Sequence, residues 1–486
     1  MCKRFLIISA IALTTIANVE AKVRLPHLIS DNMVLQQNSD VRLWGWAAKG
    51  KTVSISPSWS DKVYRTKVGS DGKWMVKVAT PKAGYTPYTI SFDDGEGAVM
   101  VSNVLSGEVW VCAGQSNMEM PVKGFGNCPV EGYNDVVIDA ANHNGVHYVK
   151  IPSVMSMTPL EDAQCQWKSI DMGTVSDASA TGYFFGRLLH KALDIPVGLI
   201  EANKGGTRVE SWLTEDNLRK HTDEILDSVK MVGKFEWDYL RPLVWGNGTF
   251  NPILNFTVKG IIYYQGCSNV GDPGNQYSER LKLLVEQWRS QFALGEIPFY
   301  FVQIAPYAYD GDNPDGISGA LLREQQLRAM DIIPNSQIVC TNDLVYDYET
   351  TQIHPCQKRQ VGERLGYVAL NRNYGLKGVW YESPRYKEMF IQGDTCYVKL
   401  TGDYGAISRY NNIVGFEVAG DDMVFHKAEA GHFWVPGNDP RNETIFVTSK
   451  EVEKPVAVRY CFRNFQPGNM KNAAMLPLFP FRTDKR

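Results

Sequence analysis

The feature that most constrains this chain is an alternation through its middle. From about residue 106 to residue 374, short apolar runs take turns with segments of helical period. Val109–Cys112, Ile195–Ile200, Val258–Tyr264 and Phe299–Ile304 each read as a largely buried strand, because a strand covered on both faces loses the polar alternation of a half-exposed one. Between these runs, Tyr183–Leu193 gathers Phe184, Leu188 and Leu189 on one face. Tyr277–Phe292 repeats Leu281, Leu284, Val285 and Trp288 at helical spacing. Strands alternating with helices predict an α/β fold with a mainly parallel sheet covered on both sides. In such sheets ligand sites form beyond the carboxyl ends of the strands. The polar residues just after each run are therefore the first candidates for chemistry.

The flanks read differently. Residues 22–105 carry short, partly alternating strands, with Asp71-Gly72 as a hairpin signal, and predict a small β-sandwich. Residues 375–486 return to short runs punctuated by Gly393-Asp394, Gly402-Asp403 and Gly420-Asp421, and predict a second β domain. Lys3-Arg4, the apolar stretch Phe5–Ile16 and the small side chains near Ala21 read as a signal peptide over 1–21, with an exported, periplasmic or extracellular product. No other run is long enough to span a membrane. With 50 basic against 53 acidic residues, the chain has no global positive field to draw it to nucleic acid. Past the leader, eight cysteines are widely spaced with no CxxC pair, which argues against a zinc site. Export permits disulfides, and Cys128 with Cys165 is a plausible pair.

Ser116 follows the Val109–Cys112 run and Gly114, at the entry to a helix. It fits either an N-cap serine or a nucleophile with free N–H groups nearby to hold negative charge. His354, in Ile353-His354-Pro355, fits a surface loop or a general base for Ser116. Gly205-Gly206-Thr207 permits close backbone approach, or simply enters a helix. Asn269 fits a turn cap or an oxyanion donor.

These segments, in this order, resemble the SGNH hydrolases and, more closely, the sialate O-acetylesterase family. Leu28–Gln36 is similar to that family's opening motif, and Gly107–Glu119 to its nucleophile block. Gly205-Gly206-Thr207 with Trp212, Tyr264–Asn269 and Ile353-His354-Pro355 resemble its later blocks, and Leu476-Pro477 with Pro480–Thr483 its closing segment. The resemblance covers nearly the whole chain past the leader. It implies an SGNH three-layer catalytic domain flanked by small β domains, and removal of O-acetyl groups from carbohydrate with no metal or organic cofactor. Carried over, Ser116 is the nucleophile and His354 the base. The Ser116 and Gly206 N–H groups with the Asn269 side chain form the oxyanion hole. Gln115, Gln265 and Arg208 stand as candidate substrate contacts.

Two departures stand out. Cys267 replaces the usual Glu of the third block. Gln352 replaces the usual Asp before Ile353, leaving Gln352 itself or Asp343 as candidates to orient His354. A glutamine can fix a tautomer but cannot stabilise an imidazolium by charge, so the alternative is a weakened homologue that binds carbohydrate without turning it over. The loops around 118–165 and 305–325 are expected to shape specificity, the second as a sugar-contacting lip or a surface turn.

Overall fold

A computed structural model describes residues 22–402 and 412–484. The leader expected over 1–21 lies outside the described residues. The centre is a sheet in the order Ser336–Val339, Phe299–Val302, Gly260–Tyr264, Val99–Gly114, Val197–Asn203, Val146–Lys150, Trp167–Ser169. All neighbours are parallel except the last pair. The expected helices form over Ala180–Leu193 and Gln276–Phe292.

The apolar runs feed two cores, one on each face. Val109, Val111 and Ala113 enter the core under the helix Gln276–Phe292, while Trp110 and Cys112 enter the core under the helices Ala180–Leu193 and Lys358–Arg372. Ile261 and Tyr263 divide from Ile262 and Tyr264 in the same way, as Phe299 and Phe301 do from Tyr300 and Val302. This is the period of two of a pleated strand with apolar cover on both sides. The two helices on one face approach closely at Gly362, where a Cβ would stand 2.6 Å from the Thr181 carbonyl oxygen.

The N-terminal β region is not separate from this sheet. The strand Val99–Gly114 crosses the expected boundary at 105/106 without a break. Its first half pairs with Gly84–Asp93 and Val34–Gln36, and its second half with the central strands. Leu43, Val53 and Phe92 share a core with Val109 and Ile261. The opening motif is tied to the base of this strand: Gln36 Nε2 donates to Glu108 (3.1 Å), and Gln36 Oε1 accepts from Val109 N (3.0 Å). The C-terminal region is two four-stranded antiparallel sheets around a core of its own. Its first strand begins at Arg385, and Leu376, Val379 and Tyr381 still pack against the helical core of the central domain.

Register decides where a site can form. Gly114 lies opposite both Asn203 and Tyr264, so three adjacent strands end at one level. Their exits, Gln115-Ser116, Lys204-Gly205-Gly206 and Gln265-Gly266-Cys267, emerge side by side.

Candidate active site

The three exits interlock. Gly114 has φ 137°, and a Cβ there would overlap the Tyr264 carbonyl oxygen, so the chain leaves the strand by a route open to glycine. Gln115 N donates to Tyr264 O (2.9 Å), and Gln115 Oε1 accepts from Gly266 N (2.7 Å) and Cys267 N (3.0 Å). Ser116 then opens the short helix Ser116–Glu119. Glu119 accepts from Gly205 N (2.6 Å), which draws the second exit onto the first; a Cβ on Gly205 would lie 3.4 Å from the Ser116 Cβ. Gly206, at φ 77°, is covered by Tyr239, whose ring a Cβ would approach to 2.5 Å. Among the described residues, the Ser116 hydroxyl and the Ser116 and Gly206 N–H groups have no hydrogen-bond partner. A polar hydroxyl with two free donors beside it is an arrangement that can hold a developing oxyanion.

His354 comes to this place through its neighbours. Asn117 Nδ2 donates to Ile353 O (3.0 Å), joining the residue after Ser116 to the residue before His354. The imidazole rests edge-on against Phe125, with ring centroids 5.2 Å apart. Its Nδ1 lies 3.6 Å from the Cys128 sulfur, and its Nε2 is buried without a partner. Burial, and then the positive charge of Lys358, lower its pKa from 6.5 to about 4, so the ring is neutral at physiological pH. Lys358 is itself buried, bonded to Asn117 Oδ1 (2.6 Å) and Pro355 O (2.7 Å), and burial pulls its pKa down to about 7.

Several residues expected at the site serve elsewhere. The two Asn269 amide hydrogens go to Glu210 (3.0 Å) and Asp272 (2.9 Å), and its oxygen accepts from Val209 N and Gln265. With every amide hydrogen committed to a carboxylate, Asn269 has none for an oxyanion. Gln265 is buried, bonded to Thr207 O, Asn269, Tyr263 and Tyr277, and braces the second and third exits. Gln115 is likewise buried, and its amide oxygen is held by the Gly266 and Cys267 N–H groups, which leaves its Nε2 as the only part that a substrate could meet. Arg208 pairs with Glu224 (2.6 Å) and Leu240 O (3.1 Å), so its guanidinium is neutralised inside the protein rather than offered to a substrate carboxylate. Asp343 does not reach His354. It holds Arg364 through two bonds (2.7 and 2.8 Å) and Lys471 (2.8 Å); burial alone would raise its pKa, but these two cations hold it below the ordinary value.

Gln352 does stand by the histidine. Its Oε1 accepts from His354 N (3.2 Å) and from the Cys128 thiol (3.2 Å), and its Nε2 donates to Asn127 O (3.3 Å). Cys128 and Cys165 form no disulfide, and all eight described cysteines are free. Burial pushes the Cys267 thiol up, away from the thiolate a nucleophile needs. In the 305–325 loop, Tyr309 turns inward, and Tyr307 N and Ala308 N are pinned to Asn464 O and Thr350 O. Sequence reasoning missed Phe125, Lys358 and Tyr239, and offered Cys128 only as half of a disulfide. None lies in a motif-like run, and only the tertiary fold brings them to Ser116 and His354.

A mainly parallel sheet between two helical layers, with loops from its central strands converging on one serine, defines an SGNH-like α/β hydrolase. Residues 106–371 match the family model described as carbohydrate esterase, sialic acid-specific acetylesterase, and the chain belongs to that family. It is a carbohydrate ester hydrolase. It is 28% identical over 400 residues to human sialate O-acetylesterase, covering 74% of this chain and 73% of the relative. It is 26% identical over 530 residues to the mouse sialate O-acetylesterase, covering 94% of each. Among solved structures, a carbohydrate acetylesterase from Xanthomonas citri superposes with a TM-score of 0.82 at 29% identity, over 96% of this chain and all of that one.

Proposed function

We propose that the chain removes O-acetyl groups from carbohydrate through an acetyl-serine intermediate, with Ser116 as nucleophile and His354 as base. The observation that carries this reading is the neutral His354 ring, whose buried, unpartnered Nε2 sits on a segment bonded to the residue after Ser116. Ser116 Oγ attacks the acetyl carbonyl carbon as its proton passes to Nε2. The oxyanion meets the N–H groups of Ser116 and Gly206. Collapse returns the proton to the departing sugar oxygen, and water, deprotonated by the same Nε2, releases acetate from the serine. No step needs a metal or an organic cofactor.

The site's wall supports a sugar substrate. Tyr239 lies over Gly206, and Trp237 stacks on Tyr239 with centroids 6.0 Å apart and planes 14° apart. Trp237 is 56% exposed and extends this wall outward with a flat apolar face. Acetylated sialic acid and acetylated polysaccharide sugars present the same ester, and such a face accepts either. We also propose export, for which the mature protein would begin near Lys22.

The test is acetate release from a panel of acetylated glycans and from 4-nitrophenyl acetate. Ser116→Ala is expected to lower release by about a thousandfold or more while leaving the fold intact. Glycan binding without turnover by the unmodified chain would overturn the reading in favour of a carbohydrate-binding protein.

A further inference from the structure

We propose that the Cys128 thiol is the positioning residue for His354, standing where a Ser-His-Asp triad has its carboxylate; this rests on His354 being the base.

The Cys128 sulfur has three polar neighbours: Asn127 Oδ1 at 3.2 Å, Gln352 Oε1 at 3.2 Å and His354 Nδ1 at 3.6 Å. A neutral thiol carries one proton. The Gln352 amide is oriented by two independent bonds, accepting from His354 N and donating to Asn127 O, so the atom facing Cys128 is its oxygen. Both oxygens can only accept, and both are nearer to the sulfur than Nδ1 is. The thiol proton therefore goes to an amide oxygen, and a sulfur lone pair is left toward the ring. Nδ1 fills that place by carrying the hydrogen. Nε2 is then bare, which is the tautomer a general base requires.

The thiol is itself fixed. Cys128 closes a tight turn with Phe125, through Phe125 N to Cys128 O (2.9 Å) and Cys128 N to Phe125 O (3.1 Å). That same turn sets the Phe125 ring against the imidazole. Burial raises the thiol's pKa, so the group stays protonated and neutral. The device thus differs from a carboxylate in kind. It selects a tautomer and an orientation without supplying charge to the imidazolium that forms during the reaction.

Two measurements test this. The first needs no activity: nitrogen NMR of histidine-labelled protein is expected to show the Nδ1–H tautomer at His354, assigned with a His354→Gln control. An Nε2–H tautomer in the unmodified protein would overturn the proposal. The second is kinetic. Cys128→Ala is expected to lower kcat by about tenfold, the worth of one neutral hydrogen bond, with KM little changed. Cys128→Ser should recover part of that loss. Cys128→Asp is expected to move the acid limb of kcat/KM upward, because a carboxylate at Nδ1 favours the protonated ring. A folded Cys128→Ala protein with unchanged kcat, pH profile and tautomer would sink the idea. Failure of Ser116→Ala to affect turnover would instead remove the nucleophile assignment and leave the tautomer result standing.

Discussion

The proposed base, His354, lies in surroundings that weaken it as a base. Burial and the ammonium of Lys358 both oppose its protonation, and its contact at Nδ1 is an uncharged sulfur. The consequence is a low acid limit. Activity that needs the neutral ring should persist as pH falls and be lost only near pH 4, well below the 6.5 of a free imidazole. A pH profile of kcat/KM on a neutral ester checks this. Lys358→Met removes the positive charge and should move that limb upward, although the freed Asn117 oxygen and Pro355 carbonyl make the variant less stable. Stability has a matching sign. Between pH 6.5 and about 4 the unfolded chain takes up a proton at His354 that the folded chain refuses, so folding stability drops as pH falls through that window. Thermal melts of His354→Gln should lose part of this pH dependence.

At the scale of elements, the site is the meeting of three strand exits, and its shape rests on glycines and amides that tie the exits to one another. Gly114→Ala is the sharpest probe. It places a Cβ on the Tyr264 backbone and forces an alanine to φ 137°, so neither a rotamer change nor a small shift relieves it. The expected cost is about 3 kcal/mol or more, read by chemical denaturation, with loss of turnover as the first and third exits separate. The wall over Gly206 is probed differently. Trp237→Ala should raise KM for acetylated oligosaccharides severalfold and leave 4-nitrophenyl acetate hydrolysis nearly unchanged, because the small ester does not extend to the exposed indole. Equal effects on both substrates would place Trp237 outside the sugar path.

At the scale of the whole molecule, Asp343 shows how the domains are held. It joins Arg364, on a helix of the central domain, to Lys471 in the C-terminal region. Asp343→Ala leaves a buried guanidinium unpaired and should cost about 3–5 kcal/mol, lowering Tm without moving the acid limb that reports on His354. The division of labour between sequence and tertiary structure is visible in such residues. Apolar runs between helical segments were enough to establish the α/β layering, since burial on both faces leaves its mark in each strand separately. Short ordered motifs mark Ser116, Gly206 and His354 as candidates, and the fold gathers the segments that carry them. The expected edge at 105/106 falls inside one strand, Val99–Gly114, which pairs with N-terminal strands over its first half and with central strands over its second. Arg208, Gln265, Asn269 and Asp343 could not be assigned. A polar side chain's role depends on which partner neutralises it, and Glu224, Thr207, Glu210 and Arg364 reach them only through the fold. The same holds for Cys128: composition offered it as half of a disulfide, and a tight turn at Phe125 set it against an imidazole more than two hundred residues away. Local periodicity is written in neighbours along the chain. Hydrogen-bond partners, and the proton positions they dictate, are settled only when distant segments close-pack.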